Sequence, residues 1–157
     1  MKKLTSLLFI IFFSFTTNVL AEKIKRISEG KQDAKITIIA YESLTCGHCA
    51  DFHKDVYPEL KKDFIDTGLV RIEFRHFPLD IAAFNASKIG QCRNDGKSEI
   101  LNTLYSGQKK WAKGKTPEEA NKNLKKFCTA ILDHFKTKMF KCDTTSFHYF
   151  SQRIPNL

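Results

Sequence analysis

Cys46 and Cys49 stand three apart in Thr45-Cys46-Gly47-His48-Cys49, and two thiols at that spacing can do redox chemistry if a helix starts between them. The first then lies at the helix N-terminus, where unpaired amides and the helix dipole stabilise a thiolate. The second lies one turn inside, close enough to close a small disulfide ring. Thiolate is the reacting species, and such settings lower a cysteine pKa from ~8.5 towards ~3.5–7.5. A lower pKa also makes the sulfur a better leaving group and the disulfide form more oxidising. His48, protonated or donating a hydrogen bond, would stabilise a Cys46 thiolate further; an inert exposed imidazole is the competing reading. Gly47 leaves room for the backbone of a client.

Two blander uses of the pair compete with redox work. A lone Cys-x-x-Cys is half of a zinc site as often as a redox pair in reducing compartments. The remaining ligand candidates are Cys92, Cys128, Cys142, His134 and His148, and none supplies a second Cys-x-x-Cys. The gaps from Cys128 to His134 and from Cys142 to His148 are each one residue beyond the usual ligand spacing. No metal is therefore expected, and no cofactor. A purely structural Cys46–Cys49 bridge is the other alternative. His53 and His76 have no partner visible in the sequence and read as solvated or core residues.

The elements around the motif suit redox chemistry. Ile36-Thr37-Ile38-Ile39-Ala40-Tyr41 is a β-branched run without turn residues, which reads as a buried strand. After the cysteines, Cys49, Phe52, Val56, Leu60 and Phe64 recur at three and four residues and mark one apolar helical face. Pro58 falls inside that helix and predicts a kink. Gly68 sits at the helix C′ position. Val70 to Arg75 alternates apolar and charged residues, a second strand, and the lead-in from Glu22 to Lys35 has room for an edge strand. Asp80 caps a helix to about Cys92, Ile100 to Trp111 form another, and Thr116-Pro117-Glu118-Glu119 starts a third that runs to about Phe135. The order is strand, helix, strand, then mostly helix: an α/β layer with a helical insertion.

The compartment decides whether a disulfide persists. Met1-Lys2-Lys3 is basic, Leu4 to Phe15 is apolar and uncharged, and Val19 and Ala21 offer small residues at −3 and −1. That is the plan of a secretory signal peptide cleaved after Ala21, and in a bacterial setting it implies the periplasm, where disulfides endure. Of 157 residues, 26 are Lys or Arg against 17 Asp or Glu, a net charge of +9, and 42% are hydrophobic. This balance excludes disorder as the main description. The bases are scattered, with no nucleic-acid motif behind them.

From Ile36 to Lys62 the sequence, with Leu44-Thr45-Cys46-Gly47-His48-Cys49-Ala50-Asp51-Phe52-His53 at its centre, resembles the DsbA-like thiol:disulfide oxidoreductases, especially their alphaproteobacterial branch. Asp66 to Val70, Arg75 to Asp80 and the helix to Cys92 follow the same pattern, so the resemblance covers about residues 29 to 135. It implies a thioredoxin fold with an inserted helical domain, divided as a leader over 1–21, a CxxC-bearing part over 22–79, a helical insertion over 80–142 and an atypical tail over 143–157. It implies Cys46 as nucleophile and Cys49 as resolving thiol, with exported client proteins bearing reduced cysteines and a quinone-linked membrane oxidase of the DsbB type as partners. It also allows a second, non-catalytic disulfide, Cys92 with Cys142 or with Cys128.

Two features depart from the family pattern. Superfamily members carry an acid six residues before the first active-site cysteine, where this chain has Ala40; Glu42, two positions on, could handle the proton instead. The family also needs a cis-proline after the helical insertion, followed by two strands and a helix. Pro58 and Pro78 come too early, Pro117 reads as a helix N1, and Pro155 has two residues after it. The expectation is a family member whose C-terminal strands and cis-proline are missing. Its function is then dithiol–disulfide exchange. The alternatives are an inactive truncated paralogue that at most binds clients, and an exported metal-binding protein.

Overall fold

Val70–His76 forms the middle strand of a three-stranded sheet in the computed structural model, which describes residues 24–134. The elements in chain order are β1 (Ile27–Glu29), β2 (Ile36–Glu42), a helical run over 47–65 (α1), β3 (Val70–His76), α2 (Ile81–Gly90), α3 (Glu99–Ser106), α4 (Gln108–Trp111) and α5 (Pro117–His134). β2 and β3 pair in parallel, Ile38 opposite Ile72 and Glu42 opposite His76, so α1 is the crossover between them. β1 pairs antiparallel with the other side of β3. The leader, Cys142, His148, Pro155 and the 143–157 tail lie outside the described residues. Among those described, no helix is long and apolar enough to cross a membrane and no peptide bond is cis.

β3 alternates as its sequence predicts, with consequences on both faces. Val70, Ile72 and Phe74 are buried in the core. Glu73, on the opposite face, is buried as well, because Arg26 reaches it at 3.0 Å, Arg75 at 3.3 Å and Arg71 at 3.8 Å. β2 departs from expectation. It reads as a buried strand, yet Ile36 is 50% exposed, Ile39 45% and Tyr41 62%, since β3 is its only partner among the described residues and it forms an edge.

The apolar face of α1 keeps Cys49, Phe52 and Leu60 against the core but is displaced at two of its predicted positions. α1 is built of α turns at Gly47–Asp51 and Tyr57–Leu60 alternating with π turns at Phe52–Val56 and Lys61–Ile65. Tyr57 N–H donates to the carbonyl of Phe52, and Asp66 N–H to that of Lys61, each five residues back. The first π turn lies directly ahead of Pro58, which has no N–H to give to the carbonyl four residues earlier. Each π turn uses one extra residue, so Tyr57 and Ile65 are buried where a regular helix would bury Val56 and Phe64, both of which are exposed.

The remaining helices pack on this layer. Leu101, Leu104 and Tyr105 of α3, Trp111 of α4 and Leu124 of α5 close the core against Tyr57, Ile65, Ile72 and Phe74. Each fully buried large side chain is worth about 1.5–3 kcal/mol relative to exposure. The predicted helix from Ile100 to Trp111 is broken at Gly107, where a Cβ would overlap the Phe127 ring. The capping box at Thr116 forms in modified register: Thr116 Oγ1 accepts from Glu119 N–H at 3.3 Å, while the Glu119 carboxylate accepts from Lys115 N–H at 2.8 Å.

Candidate active site

The turn between β2 and α1 places the two cysteines. Cys46 is extended (φ −74°, ψ 121°) and occupies the N-cap of α1. Its amide donates to the Ser43 carbonyl at 3.0 Å, and its carbonyl accepts from Ala50 N–H at 3.2 Å. Two residues from the helical part fasten this turn. Asp80 accepts from Thr45 Oγ1 at 2.6 Å with one carboxylate oxygen and from Ala83 N–H at 2.7 Å with the other, so one side chain both caps α2 and holds the turn. Gln108, buried in α4, donates from Nε2 to the carbonyls of Leu44 at 2.9 Å and Cys46 at 2.8 Å.

That geometry drives the two thiols apart in acidity. The Cys46 pKa is lowered first by the Cys49 backbone amide, then by the Cys49 thiol and the His48 amide, against opposition from burial and Asp51. Cys49, one turn inside, is pushed up to about 11, chiefly by burial. The pair is thus a thiolate-forming sulfur at the surface and a proton-holding thiol beneath it, the polarity that thiol–disulfide exchange uses. His48 contributes through its amide; its side chain is exposed.

Glu42 ends β2 with its side chain only 8% exposed, 2.8 Å from Nε2 of His53, itself 4% exposed. His53, which showed no partner in the sequence, stacks on Tyr105 at 4.0 Å between ring centroids and 19° between planes. His76, opposite Glu42 in the sheet register, has its pKa lowered by burial, with the Glu42 charge working against that. Burial, and then the charge of Glu42, keep the proton on the Tyr105 phenol.

Of the other cysteines, Cys92 is disulfide-bonded. Cys128 is a free, buried thiol whose pKa burial pushes up to about 12, so a Cys92–Cys128 bridge is not formed. Cys142 lies outside the described residues. Gln108 and His53 escaped the sequence reading. Only a tertiary contact reveals either, for Gln108 binds backbone carbonyls and His53 binds a residue on another element.

The Thioredoxin family profile matches residues 22–148. The chain is 35% identical over 85 residues to a Rickettsia bellii protein provisionally named a protein-disulfide oxidoreductase, covering 53% of this chain and 33% of that protein. It is 40% identical over 45 residues to disulfide bond formation protein D of Bacillus subtilis, 29% of this chain and 20% of that one. The crystal structure of Wolbachia pipientis alpha-DsbA1 superposes with a TM-score of 0.59 at 26% identity, over 88% of this chain and 72% of that one. A protein-disulfide isomerase from Novosphingobium aromaticivorans shares the fold, with a TM-score of 0.63 at 16% identity, over 83% and 76%. The match thus spans about a third of the length of the Rickettsia relative. With a parallel strand–CxxC–helix unit, a small sheet and a helical insertion, the chain belongs to the thioredoxin family, and within it is similar to alpha-DsbA1 and to the protein-disulfide oxidoreductases named above.

Proposed function

We propose that this chain catalyses dithiol–disulfide exchange in exported proteins, with Cys46 as nucleophile and Cys49 as resolving thiol. The observation that carries the reading is the opposite displacement of two thiol pKa values at one helix N-terminus, Cys46 down and Cys49 up. Cys46 thiolate exchanges with a client disulfide, or its disulfide form is attacked by a client thiolate, through a mixed disulfide that Cys49 resolves. Glu42, buried at the end of β2, handles the Cys49 proton in place of the acid absent at Ala40. The leader over 1–21 supports a periplasmic setting, and reoxidation then falls to a quinone-linked membrane oxidase of the DsbB type.

Client capture has a surface to draw on. Phe77, Leu79 and Ile81 are 59%, 66% and 49% exposed, and the segment that carries them is tied to the active-site strand and turn. Phe77 N–H donates to the Glu42 carbonyl at 2.7 Å, and Leu79 N–H to Ser43 Oγ at 3.4 Å. Apolar side chains exposed beside a reactive sulfur suit an unfolded client segment.

The test is stoichiometric. The oxidised protein is mixed with a peptide carrying two reduced cysteines, and both partners are followed by mass. Loss of the peptide's thiols with appearance of Cys46 and Cys49 thiols supports the reading, as does a trapped Cys46 mixed disulfide in Cys49→Ala. A peptide that stays reduced but still binds would favour the client-binding alternative.

A further inference from the structure

Beside α1 opens a cleft of about 670 Å3, lined among others by His53, Tyr57, Asn102, Tyr105 and Lys109. Two buried side-chain atoms of these residues have no hydrogen-bond partner: His53 Nδ1 and Asn102 Oδ1. The other ring nitrogen of His53 is committed, lying 2.8 Å from the Glu42 carboxylate. The imidazole therefore stands between a buried carboxylate and an open cleft, one nitrogen engaged by the first while the residue lines the second.

Cys49, half-buried, lies near this pair. Cys49 and His53 are four apart in α1 and share a helix face, and the Glu42 carboxylate is close enough for its charge to raise the Cys49 pKa. The groups packed around the pair are Tyr57 of α1, Tyr105 of α3, His76 of β3 and the two active-site thiols. Lys54, Lys61 and Lys109 line the cleft with Asp51. Tyr105, which also lines the cleft, interacts with Glu42 as well, but burial and that charge keep its proton on the phenol, which leaves His53 as the group beside Glu42 to exchange one.

We propose that His53 couples Glu42 to the cleft, so that the proton given up by Cys49 is matched by one released from His53 Nδ1 towards the cleft that the residue lines. The proposal rests on the reading of Cys46 and Cys49 as a redox pair. As Cys49 attacks the Cys46–client disulfide, its S–H bond breaks, a Cys46–Cys49 S–S bond forms, and the client sulfur leaves as thiolate with the electrons of the broken bond. Glu42 takes the proton. A carboxylate facing an imidazolium is neutral as a pair. When the carboxylate is protonated, loss of the Nδ1 proton restores neutrality, and no net charge is left in a buried site where it would be costly. His53 acts through Glu42 and is a positioning residue.

The test uses the full chain. Reduced protein is mixed with glutathione disulfide, and two steps are followed over a range of pH: formation of the Cys46–glutathione mixed disulfide, isolated in Cys49→Ala, and its resolution by Cys49. His53→Gln keeps an N–H donor for Glu42 but no proton to exchange. We expect it to form the mixed disulfide at the wild-type rate and resolve it about 10- to 100-fold more slowly, with a flattened pH profile, a loss at or below the low end of general acid–base effects. In His53→Ala, added imidazole entering the cleft restores resolution; in Glu42→Gln it does not. Wild-type resolution in His53→Gln, or no response of His53→Ala to imidazole, overturns the relay and leaves the redox pair standing. Failure of Cys46 to form any mixed disulfide overturns both.

Discussion

Gln108 donates to the carbonyl of Cys46 at 2.8 Å across 62 positions of the chain, and so ties the active-site turn to the helical insertion. The same nitrogen reaches Leu44, whose side chain is fully buried. The peptide that sets the direction of the nucleophile is thereby held by a residue far from it in sequence. Gln108→Leu removes both bonds and leaves the Leu44 carbonyl without this donor, at a cost of about 1–3 kcal/mol. With the Cys46 peptide freed, the sulfur also loses its aim at the Cys49 amide. The expected result is a lower denaturation midpoint together with a Cys46 alkylation midpoint shifted to higher pH, measured on the same variant.

The two thiols give the reduced protein a stability that depends on pH in two opposite ways. Cys46 has a folded pKa below its unfolded value. Its contribution is fully present above the unfolded thiol pKa of ~8.5 and is lost as pH falls through the folded value. Cys49, pushed up to about 11, resists ionisation, so above ~8.5 the fold loses stability as pH rises towards that value. Denaturant unfolding of both redox forms should show the reduced form gaining on the oxidised form as pH rises to ~8.5 and losing ground beyond it. A difference that stays flat with pH would contradict the assignment.

The π turns of α1 predict which side chains matter in pairs of neighbours. Ile65 and Tyr57 are buried at 3% and 5% exposure, while Phe64 and Val56 are exposed. Ile65→Ala should cost about 2–5 kcal/mol. Val56→Ala should fall within about 0.5 kcal/mol of wild type, as surface changes do. A regular helix predicts the reverse order, so urea titrations of the two variants distinguish the two registers.

Glycines near the site separate packing from approach. A Cβ at Gly107 would collide with the Phe127 ring, whereas one at Gly47 meets nothing within 4 Å. Gly107→Ala should destabilise by about 1–3 kcal/mol through overpacking. Gly47→Ala should leave the denaturation midpoint in place while slowing exchange with a peptide client, because its methyl group sits between the two cysteines. Calorimetry and exchange rates on both variants check this.

The strand, the turn and Cys46–Cys49 were legible because local patterns encode them: a β-branched run, a two-residue gap and apolar spacing at the start of a helix. Asp80 was legible as a cap for the same reason, though not as the anchor of Thr45. The face of α1 was misread at Val56 and Phe64, though not at Leu60, because the 3.6-residue period was carried through two π turns, each of which inserts an extra residue. β2 was misread as buried because β-branched composition reports a strand and not its neighbours. Glu42 could be picked out by position, but His53 could not, since their contact joins a strand end to a helix eleven residues later. Gln108 left no signal at all, because its partners are carbonyls that every residue possesses.

The central claim is that the N-terminus of α1 makes Cys46 a thiolate nucleophile. The measurement that tests it most directly is the rate of Cys46 alkylation against pH, in Cys49→Ala so that one active-site sulfur reports. The account predicts a midpoint well below ~8.5, since the amides of residues 48 and 49 still face the sulfur. A midpoint near ~8.5, that of a thiol free in solution, would contradict it.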